Sequence, residues 1–292
     1  MSRKYLVTIG TFDGVHRGHQ KLLRWVKERA RKLRMGTRVV FFVAPPRFYF
    51  RPSLAAPLLT NSRERKRIIR DLGIEKVEVL RFGSRWAKMP HTRFFEEYIV
   101  RRWRAGGLLV GRDFAFGRGR RGDQTFMRGA CKARKMRLGV LPPVRVRRRK
   151  ISSTMIRDLL GAGDVKGAAR LLGRPHALSG KVVRGAGIGR RIGVPTANIN
   201  VARELLAAPG VYAVRVSGPG LRARKAVCNV GFRPTLRRSR RRVVEVHIPR
   251  FSGNLYGRTL TIEFLRRLRG EKKFPSLEAL KRQIKKDIRA AS

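Results

Sequence analysis

Two histidines and three glycines stand close together near the N-terminus, in the stretch GTFDGVHRGHQ at residues 10–20. The stretch separates a short apolar run, YLVTI, from a run with helical periodicity, so a strand is predicted to turn into a helix there. At the carboxyl end of a strand in an α/β sheet, the free N–H groups of the next helix bind anions. His16 and His19 would add hydrogen bonds or positive charge to a phosphate, and the glycines would let it approach. The alternative interpretation is an ordinary solvent-facing turn.

Two further polar stretches follow later in the chain. GRDFAFGRGRRGD, residues 111–123, comes directly after an apolar LLV run, and its Asp113 is placed to accept hydrogen bonds from a ribose or a base. ISSTMIR, residues 151–157, opens a predicted helix with two serines and a threonine, which bind phosphate as well as cap helices. The alternatives are a basic surface loop for the first stretch and simple helix capping for the second.

Alternating strand-like and helix-like segments surround these stretches in the first half of the chain. The predicted strands are YLVTIG, TRVVFFV, KVEVLRF and GLLVG. The predicted helices are residues 20–34, SRERKRIIRDLG opened by Ser62, and TRFFEEYIVRRW. This alternation is typical of a parallel sheet covered by helices.

The pattern changes after STMIRDLLGAGDVKGAARLLG, which predicts two helices around a Gly-Asp turn. The segments that follow are short, β-like and separated by glycine and proline: LSGKVVRG, GVYAVRVS, RKAVCNVG, RVVEVHIP and LTIEFLRRL. They predict an antiparallel barrel or sandwich, closed by an amphipathic helix that Ser276 caps. The sequence therefore predicts two domains, at residues 1–172 and 173–292.

Charge is the most unusual property of the composition. The 292 residues include 71 Lys and Arg against 18 Asp and Glu, a formal net charge of +53. Nonspecific nucleic-acid binding is expected from this excess, yet the arginines are spread along the chain and no nucleic-acid motif accompanies them. No apolar run approaches the roughly 18 residues of a membrane span, and no signal peptide is predicted. Two distant cysteines, Cys131 and Cys228, are interpreted as reduced thiols of a cytoplasmic protein.

The three polar stretches, in this order, resemble the adenylyltransferase half of the bacterial bifunctional riboflavin kinase/FAD synthetase family. The later stretches LLGRPHALSGKVVRG, GRRIGVPTANI, NVGFRPTL, VVEVHI and LYGRTLTIEFLRRLRGEKKF resemble the kinase half of that family, also in order. The resemblance implies a Rossmann-like nucleotidyltransferase domain followed by a riboflavin kinase β-barrel. It also implies phosphorylation of riboflavin by ATP to FMN, then adenylylation of FMN by a second ATP to FAD with release of pyrophosphate.

The resemblance assigns roles to individual residues. Glu245 would be the base that takes the proton of the riboflavin 5′-hydroxyl, and Thr196 and Asn198 would hold Mg-ATP. His16 and His19 would act in adenylylation, by positioning and neutralising charge, because the FMN phosphate is already an anion. The expected nucleotide contacts also include Gly10, Phe12, Asp13, Gly18, Asp113, Ser152, Ser153, Thr154, Arg157, Gly193 and Pro195.

Two alternatives stand beside this interpretation. The family commonly carries an acidic residue followed by Pro-His-Pro after its second strand, whereas this chain has Val43 and Pro45 at the acidic and histidine positions. One alternative is therefore a riboflavin kinase whose adenylyltransferase half is weakened. The other is a polycationic RNA-associated protein built on the same scaffold.

Overall fold

The computed structural model divides the chain into two compact units, Met1–Ser153 and Thr154–Ser292. This division falls ahead of the predicted domain boundary after residue 172, and the assignment of domains to 1–172 and 173–292 stays a prediction. The structure describes residues 3–146, 149–185, 187, 189, 193–201, 207–233 and 241–291.

Unit 1 is built on a five-stranded sheet in the order β3-β2-β1-β4-β5, with every neighbouring pair parallel. The predicted parallel sheet is confirmed. Its strands are β1 Tyr5–Gly10, β2 Gly36–Phe42, β3 Lys76–Leu80, β4 Ala105–Gly111 and β5 Arg137–Leu141, and a short hairpin, β6 Arg145–Val146 with β7 Arg149–Lys150, follows them. The strand order reverses between β1 and β4, so the carboxyl ends of these two strands are where a fold of this kind binds its ligand.

Helices accompany the strands of unit 1. They are α1 Arg17–Lys32, α2 Arg47–Phe50, α3 Ser62–Asp71, α4 Ser84–Lys88, α5 His91–Arg93, which continues as a π-helix over Phe94–Arg102, and α6 Gln124–Ala133; single 3₁₀ turns cover Asp13–Val15, Pro52–Leu54 and Arg118–Arg120. Helix α3 begins at Ser62 as predicted, and the residue that caps it is Asn61, whose side chain accepts a 2.8 Å hydrogen bond from the Glu64 N–H.

Alternate residues of the strands belong to two apolar clusters, one on each face of the sheet. On one face, Leu6 and Phe41 pack with the helix residues Leu23, Val26 and Ile69. On the other face, the cluster contains Val7, Val40, Phe95, Ile99, Trp103 and Met127. Burial on both faces explains why the central strands read as continuous apolar runs in the sequence.

Unit 2 is a closed barrel with the strand order β10-β11-β12-β9-β8-β13, and each described strand pair is antiparallel. The predicted β-barrel is confirmed. Its strands are β8 His176–Val183, β9 Ala197–Val201, β10 Gly210–Gly218, β11 Leu221–Arg233, β12 Arg241–His247 and β13 Thr259–Arg269.

Three helices of the described chain accompany the barrel strands in sequence: α7 Ser153–Gly161, α8 Val165–Leu172 and α9 Leu277–Ala291. The prediction that Ser276 caps the last helix is supported by a 3.2 Å hydrogen bond from the Ala279 N–H to its hydroxyl. Within the described ranges, no helix combines the length and apolar character that crossing a bilayer requires.

Candidate functional site

The turn after β1 has a strained backbone. Phe12 and Val15 adopt positive φ angles of 52° and 41°, and Gly14 between them has φ 76°. A left-handed conformation is unfavourable for a β-branched residue such as Val15, so neighbouring groups must hold the turn. One of them is Thr60, whose hydroxyl oxygen accepts a 3.0 Å hydrogen bond from the Gly14 N–H. The predicted phosphate-binding turn is therefore a shaped structure rather than a loose loop.

The two predicted histidines stack on one another at the start of α1. The ring centroids of His16 and His19 lie 3.7 Å apart with the planes inclined by 21°, and His19 also packs on Phe12. Gly18 makes this possible, because a Cβ there would stand only 3.1 Å from the His16 ring. The spacing of HRGH thus places both imidazoles at one point.

Burial keeps His19 neutral. Desolvation, with smaller contributions from the charges of His16 and Arg65, holds the pKa of His19 well below its ordinary value. Its Nδ1 atom is buried and has no hydrogen-bond partner among the residues that the structure describes. A neutral ring at a helix N-terminus can hydrogen-bond an oxyanion while the backbone N–H groups bind the charge.

The serines of ISSTMIR approach the same turn. The Ser153 hydroxyl donates a 3.0 Å hydrogen bond to the carbonyl oxygen of Asp13, and Ser152 directly precedes it. The structure thus joins Phe12, Asp13, His16, His19 and Ser153 in one cluster after β1, beside Gly10 at the end of the strand. Thr154 and Arg157 lie further along α7 and belong to unit 2.

Asp113 lies just beyond β4, the strand next to β1. Its exposed carboxylate forms an ion pair with Lys150, which lowers the pKa of Asp113, and its carbonyl oxygen accepts a 2.9 Å hydrogen bond from Arg120. The residue is therefore an ionised hydrogen-bond acceptor at neutral pH. Its predicted role toward a ribose or base stays a prediction.

Val43 and Pro45 follow β2 at the positions where an acidic residue and a histidine were expected, and both form backbone hydrogen bonds. The Val43 N–H donates to the Leu80 carbonyl oxygen over 2.8 Å, and the Pro45 carbonyl oxygen accepts from the Phe48 N–H over 2.9 Å. Neither side chain can ionise, so any charge stabilisation at this strand end comes from other residues.

An exposed aromatic surface follows β2 and β3, and sequence reasoning missed it. Tyr49, Phe50 and Phe82 pack edge to face with ring centroids 5.4–5.7 Å apart, and Phe50 remains 61% exposed. Tyr49 and Phe50 line a cavity of about 420 Å³ whose other residues are Ser84, Ala87, Lys88 and Arg118. Large rings left in solvent beside cationic side chains suit a planar, anionic ligand. The signal available in the sequence was the RFYF run directly after two prolines.

A second candidate site lies on the barrel of unit 2. Glu245 on β12 stands directly opposite Asn198 of β9 on one side and Asn229 of β11 on the other. Directly opposed residues of antiparallel strands share a face of the sheet, so one carboxylate lies between two side-chain amides. The predicted Glu245 and Asn198 are thus brought together, and Asn229 is a neighbour that sequence reasoning missed.

These three side chains line one cavity of about 410 Å³. Thr196, two residues before Asn198 and therefore on the same side of the chain, lines it as well. Helix α9 contributes Leu280 and Ile284 to the wall, so the cavity offers an apolar side and a polar side. Such a combination is typical of a ligand site.

Hydrogen bonds fix the edges of this cavity. The Nδ1 atom of His247 lies 2.9 Å from the Pro195 carbonyl oxygen, which anchors the segment that carries Thr196. Gly193 begins that segment with φ 77°, a conformation that glycine adopts without strain. On the helix side, Arg269 forms an ion pair with buried Asp287 over 2.9 Å, which ties α9 to β13.

Models of two known families match successive parts of the chain. A model of the FAD synthetase family matches residues 1–155, and a model of the riboflavin kinase family matches residues 172–292. The first match contains the turn after β1, and the second contains the barrel cavity. Residues 156–171, with most of α7 and much of α8, lie outside both matches.

Individual relatives cover almost the whole chain. The bifunctional riboflavin kinase/FMN adenylyltransferase of Escherichia coli K12 is 37% identical over 282 residues, which are 97% of this chain and 90% of the relative. The protein with the same description from Pseudomonas fluorescens is 38% identical and covers 99% of this chain and 92% of the relative. Among solved structures, a Streptococcus pneumoniae protein described as a macrolide-efflux protein is 32% identical with a TM-score of 0.88, covering 100% of this chain and 94% of that one.

Proposed function

The chain belongs to the family of bifunctional riboflavin kinase/FMN adenylyltransferases, and on that premise we propose that the barrel unit phosphorylates riboflavin and the sheet unit adenylylates the FMN formed. One observation carries the proposal: Glu245 lines a single cavity with Thr196 and Asn198, although a long stretch of sequence separates it from them. We propose a domain boundary after residue 172, so that the second domain begins one residue beyond the start of the match to the riboflavin kinase family.

Glu245 is the general base of the phosphorylation step. It accepts the proton of the riboflavin 5′-hydroxyl as that oxygen attacks the γ-phosphorus of ATP, and the bond from this phosphorus to the bridging oxygen of ADP breaks. Asn198 and Asn229 lie opposite Glu245 on the neighbouring strands, and all three residues line the cavity. An alcohol is a weak nucleophile, so a positioned carboxylate contributes directly to the rate.

Thr196 and Asn198 fit a magnesium ion that accompanies ATP. A hydroxyl and an amide oxygen are the hard donors that magnesium prefers, and no group of three His, Cys, Asp or Glu side chains in the described chain offers a complete protein cage. Magnesium would therefore share its coordination between these two residues and the phosphate oxygens. When bound, it neutralises charge on the phosphates.

Adenylylation needs no general base, because the attacking oxygen belongs to the already ionised phosphate of FMN. That oxygen attacks the α-phosphorus of ATP, and pyrophosphate leaves as the α–β bridging bond breaks. His16, His19 and the N-terminus of α1 stabilise the charge that develops on the phosphoryl oxygens. Ser153 supports the turn, and Thr154, Arg157 and Asp113 are proposed nucleotide contacts.

The flavin ring of FMN lies on the aromatic surface of Tyr49, Phe50 and Phe82. We expect Phe50→Ala to raise the KM for FMN in adenylylation by about tenfold, since loss of one stacked ring costs about 1–3 kcal/mol. Initial rates of FAD formation against FMN concentration measure this change. Leu54→Ala, at another exposed apolar side chain of unit 1, is the matched control and should leave KM unchanged. An unchanged KM in Phe50→Ala would place the ring elsewhere.

A flavin assay of the wild-type protein tests the proposed function. With riboflavin, ATP and magnesium, FMN should accumulate first and FAD should follow with release of pyrophosphate. FMN without FAD would support the alternative of a kinase with a weakened second half. No flavin product, together with RNA binding that weakens steeply with salt, would favour the RNA-associated alternative and contradict the proposal. A cytoplasmic location stays a prediction from the sequence.

A further inference from the structure

Arg65 on α3 is a fully buried cation at the carboxyl ends of β1 and β2. Its Nη1 donates to the carbonyl oxygens of Thr11 over 2.7 Å and of Phe42 over 3.0 Å. Its Nη2 donates to the Thr60 carbonyl oxygen over 2.8 Å. One guanidinium therefore bonds the chain directly after β1, the last residue of β2, and the segment leading into α3.

The positive charge of Arg65 is paired with a carboxylate in the turn after β1. The Nη2 atom of Arg65 lies 3.6 Å from Oδ1 of buried Asp13, which also accepts a 3.2 Å hydrogen bond from the Thr60 N–H. The Thr60 hydroxyl oxygen lies 3.3 Å from Nε of Arg65 and accepts from the Gly14 N–H as well. Arg65, Thr60, Asp13 and Gly14 thus form one network around the strained turn.

Stability alone gives little reason for a charge at this place. Burying a guanidinium carries a desolvation penalty, and well-packed apolar replacements of buried ion pairs are often neutral or stabilising. An apolar side chain could not fix the carbonyl oxygens of Thr11, Phe42 and Thr60 and the Thr60 hydroxyl by directional hydrogen bonds. Nor could it pair with the Asp13 carboxylate. Those bonds hold Phe12 and Val15 at positive φ, immediately before His16.

We propose that Arg65 is a positioning residue for adenylyl transfer, which holds the turn after β1 so that His16, His19 and the N-terminus of α1 face the α-phosphate. This inference rests on the proposed function of unit 1. The guanidinium also contributes to the low pKa of His19, after burial and His16. Its role is positioning rather than catalytic, because its guanidinium donates hydrogen bonds to protein oxygens around the turn.

The test compares Arg65→Gln and Arg65→Lys with Ile69→Ala, a fully buried apolar position one turn further along α3. We expect Arg65→Gln to lower kcat for FAD formation from FMN by about 100-fold with little change in the KM for ATP, because misplacing a reacting group by about 1 Å costs this much. Arg65→Lys keeps the positive charge but loses the planar set of guanidinium N–H donors, so its kcat for FAD formation should fall about tenfold. Riboflavin phosphorylation by the same molecules should stay at the wild-type rate.

Ile69→Ala separates positioning from simple loss of stability. It should lower Tm, since it leaves a cavity in the core, yet keep the wild-type kcat for FAD formation below Tm. In the NMR spectrum, the His19 ring resonances should move in Arg65→Gln and stay in place in Ile69→Ala.

Three results would overturn the inference. One is a folded Arg65→Gln protein that forms FAD at the wild-type rate, and another is equal loss of kcat in Ile69→Ala at equal loss of Tm. If Arg65→Gln does not fold, a wild-type kcat in Arg65→Lys decides against the inference in its place. A wild-type chain that makes FMN but no FAD would instead contradict the proposed function of unit 1, and the role of Arg65 with it.

Discussion

Glu245→Gln is expected to lower the rate of riboflavin phosphorylation by about 10²- to 10⁴-fold, the usual contribution of a general base. The amide has the shape of the carboxylate and can keep its place opposite Asn198 and Asn229, but it cannot accept the proton of the 5′-hydroxyl. Conversion of added FMN to FAD should be unaffected, because it takes place in the other unit. Initial rates of FMN formation from riboflavin and of FAD formation from FMN measure the two steps separately.

The matched control for this variant is Glu263→Gln. Glu263 is also a barrel carboxylate, on β13, where it forms a 2.6 Å ion pair with Arg215. Partly exposed pairs of this kind contribute little to stability, so both activities should stay near the wild-type rate. Loss of both activities in Glu245→Gln would contradict the assignment of two separate sites. Full kinase activity in Glu245→Gln would remove Glu245 as the base.

The second large effect is expected from His19→Ala, which should slow FAD formation from FMN by about 10²- to 10³-fold, the loss found when one oxyanion donor is removed. The stacked pair with His16 disappears, and with it the neutral ring in the first turn of α1. Riboflavin phosphorylation should continue at the wild-type rate. His91→Ala, a histidine of the same unit that packs on Phe126, is the control and should keep both activities.

The pH dependence of adenylylation follows from the same histidine. Because the pKa of His19 is depressed, the ring is neutral at and above the ordinary histidine pKa of about 6.5. Protonation sets in only at lower pH, so titration of His19 should cause no change in rate between about pH 6.5 and 8. A His19-dependent fall in FAD formation within that range, absent from His19→Ala, would show that the ring titrates normally and contradict this interpretation.

The apolar pattern of the sequence predicts much of the architecture. β1, β2 and β4 contain continuous apolar runs because the sheet buries both faces of its central strands. The alternation of four predicted strands with helices was enough to predict a parallel sheet. β5 was missed, because RLGVL is short and glycine interrupts it. Helix α1 begins at Arg17 rather than near residue 20, because the polar residues of its first turn carry no apolar period.

Sequence reasoning predicted those site residues that belong to contiguous motifs. His16, His19 and Ser153 belong to short stretches whose chemistry can be read locally. Asn229 could not be found in this way, since its place opposite Glu245 depends on the register of two strands that are far apart in sequence. Arg65 was missed because in SRERKRIIRDLG it is one of several cations, and only the tertiary structure shows that this one is buried.

The central claim, that one chain holds two independent sites acting in sequence, is tested most directly by mixing two variants. His19→Ala and Glu245→Gln are incubated with riboflavin, ATP and magnesium, separately and together, and the flavins are resolved. Alone, His19→Ala should stop at FMN and Glu245→Gln should leave riboflavin unchanged, while the mixture should form FAD, because FMN released by the first variant is adenylylated by the second. A mixture that forms no FAD although each variant keeps its fold would contradict the claim.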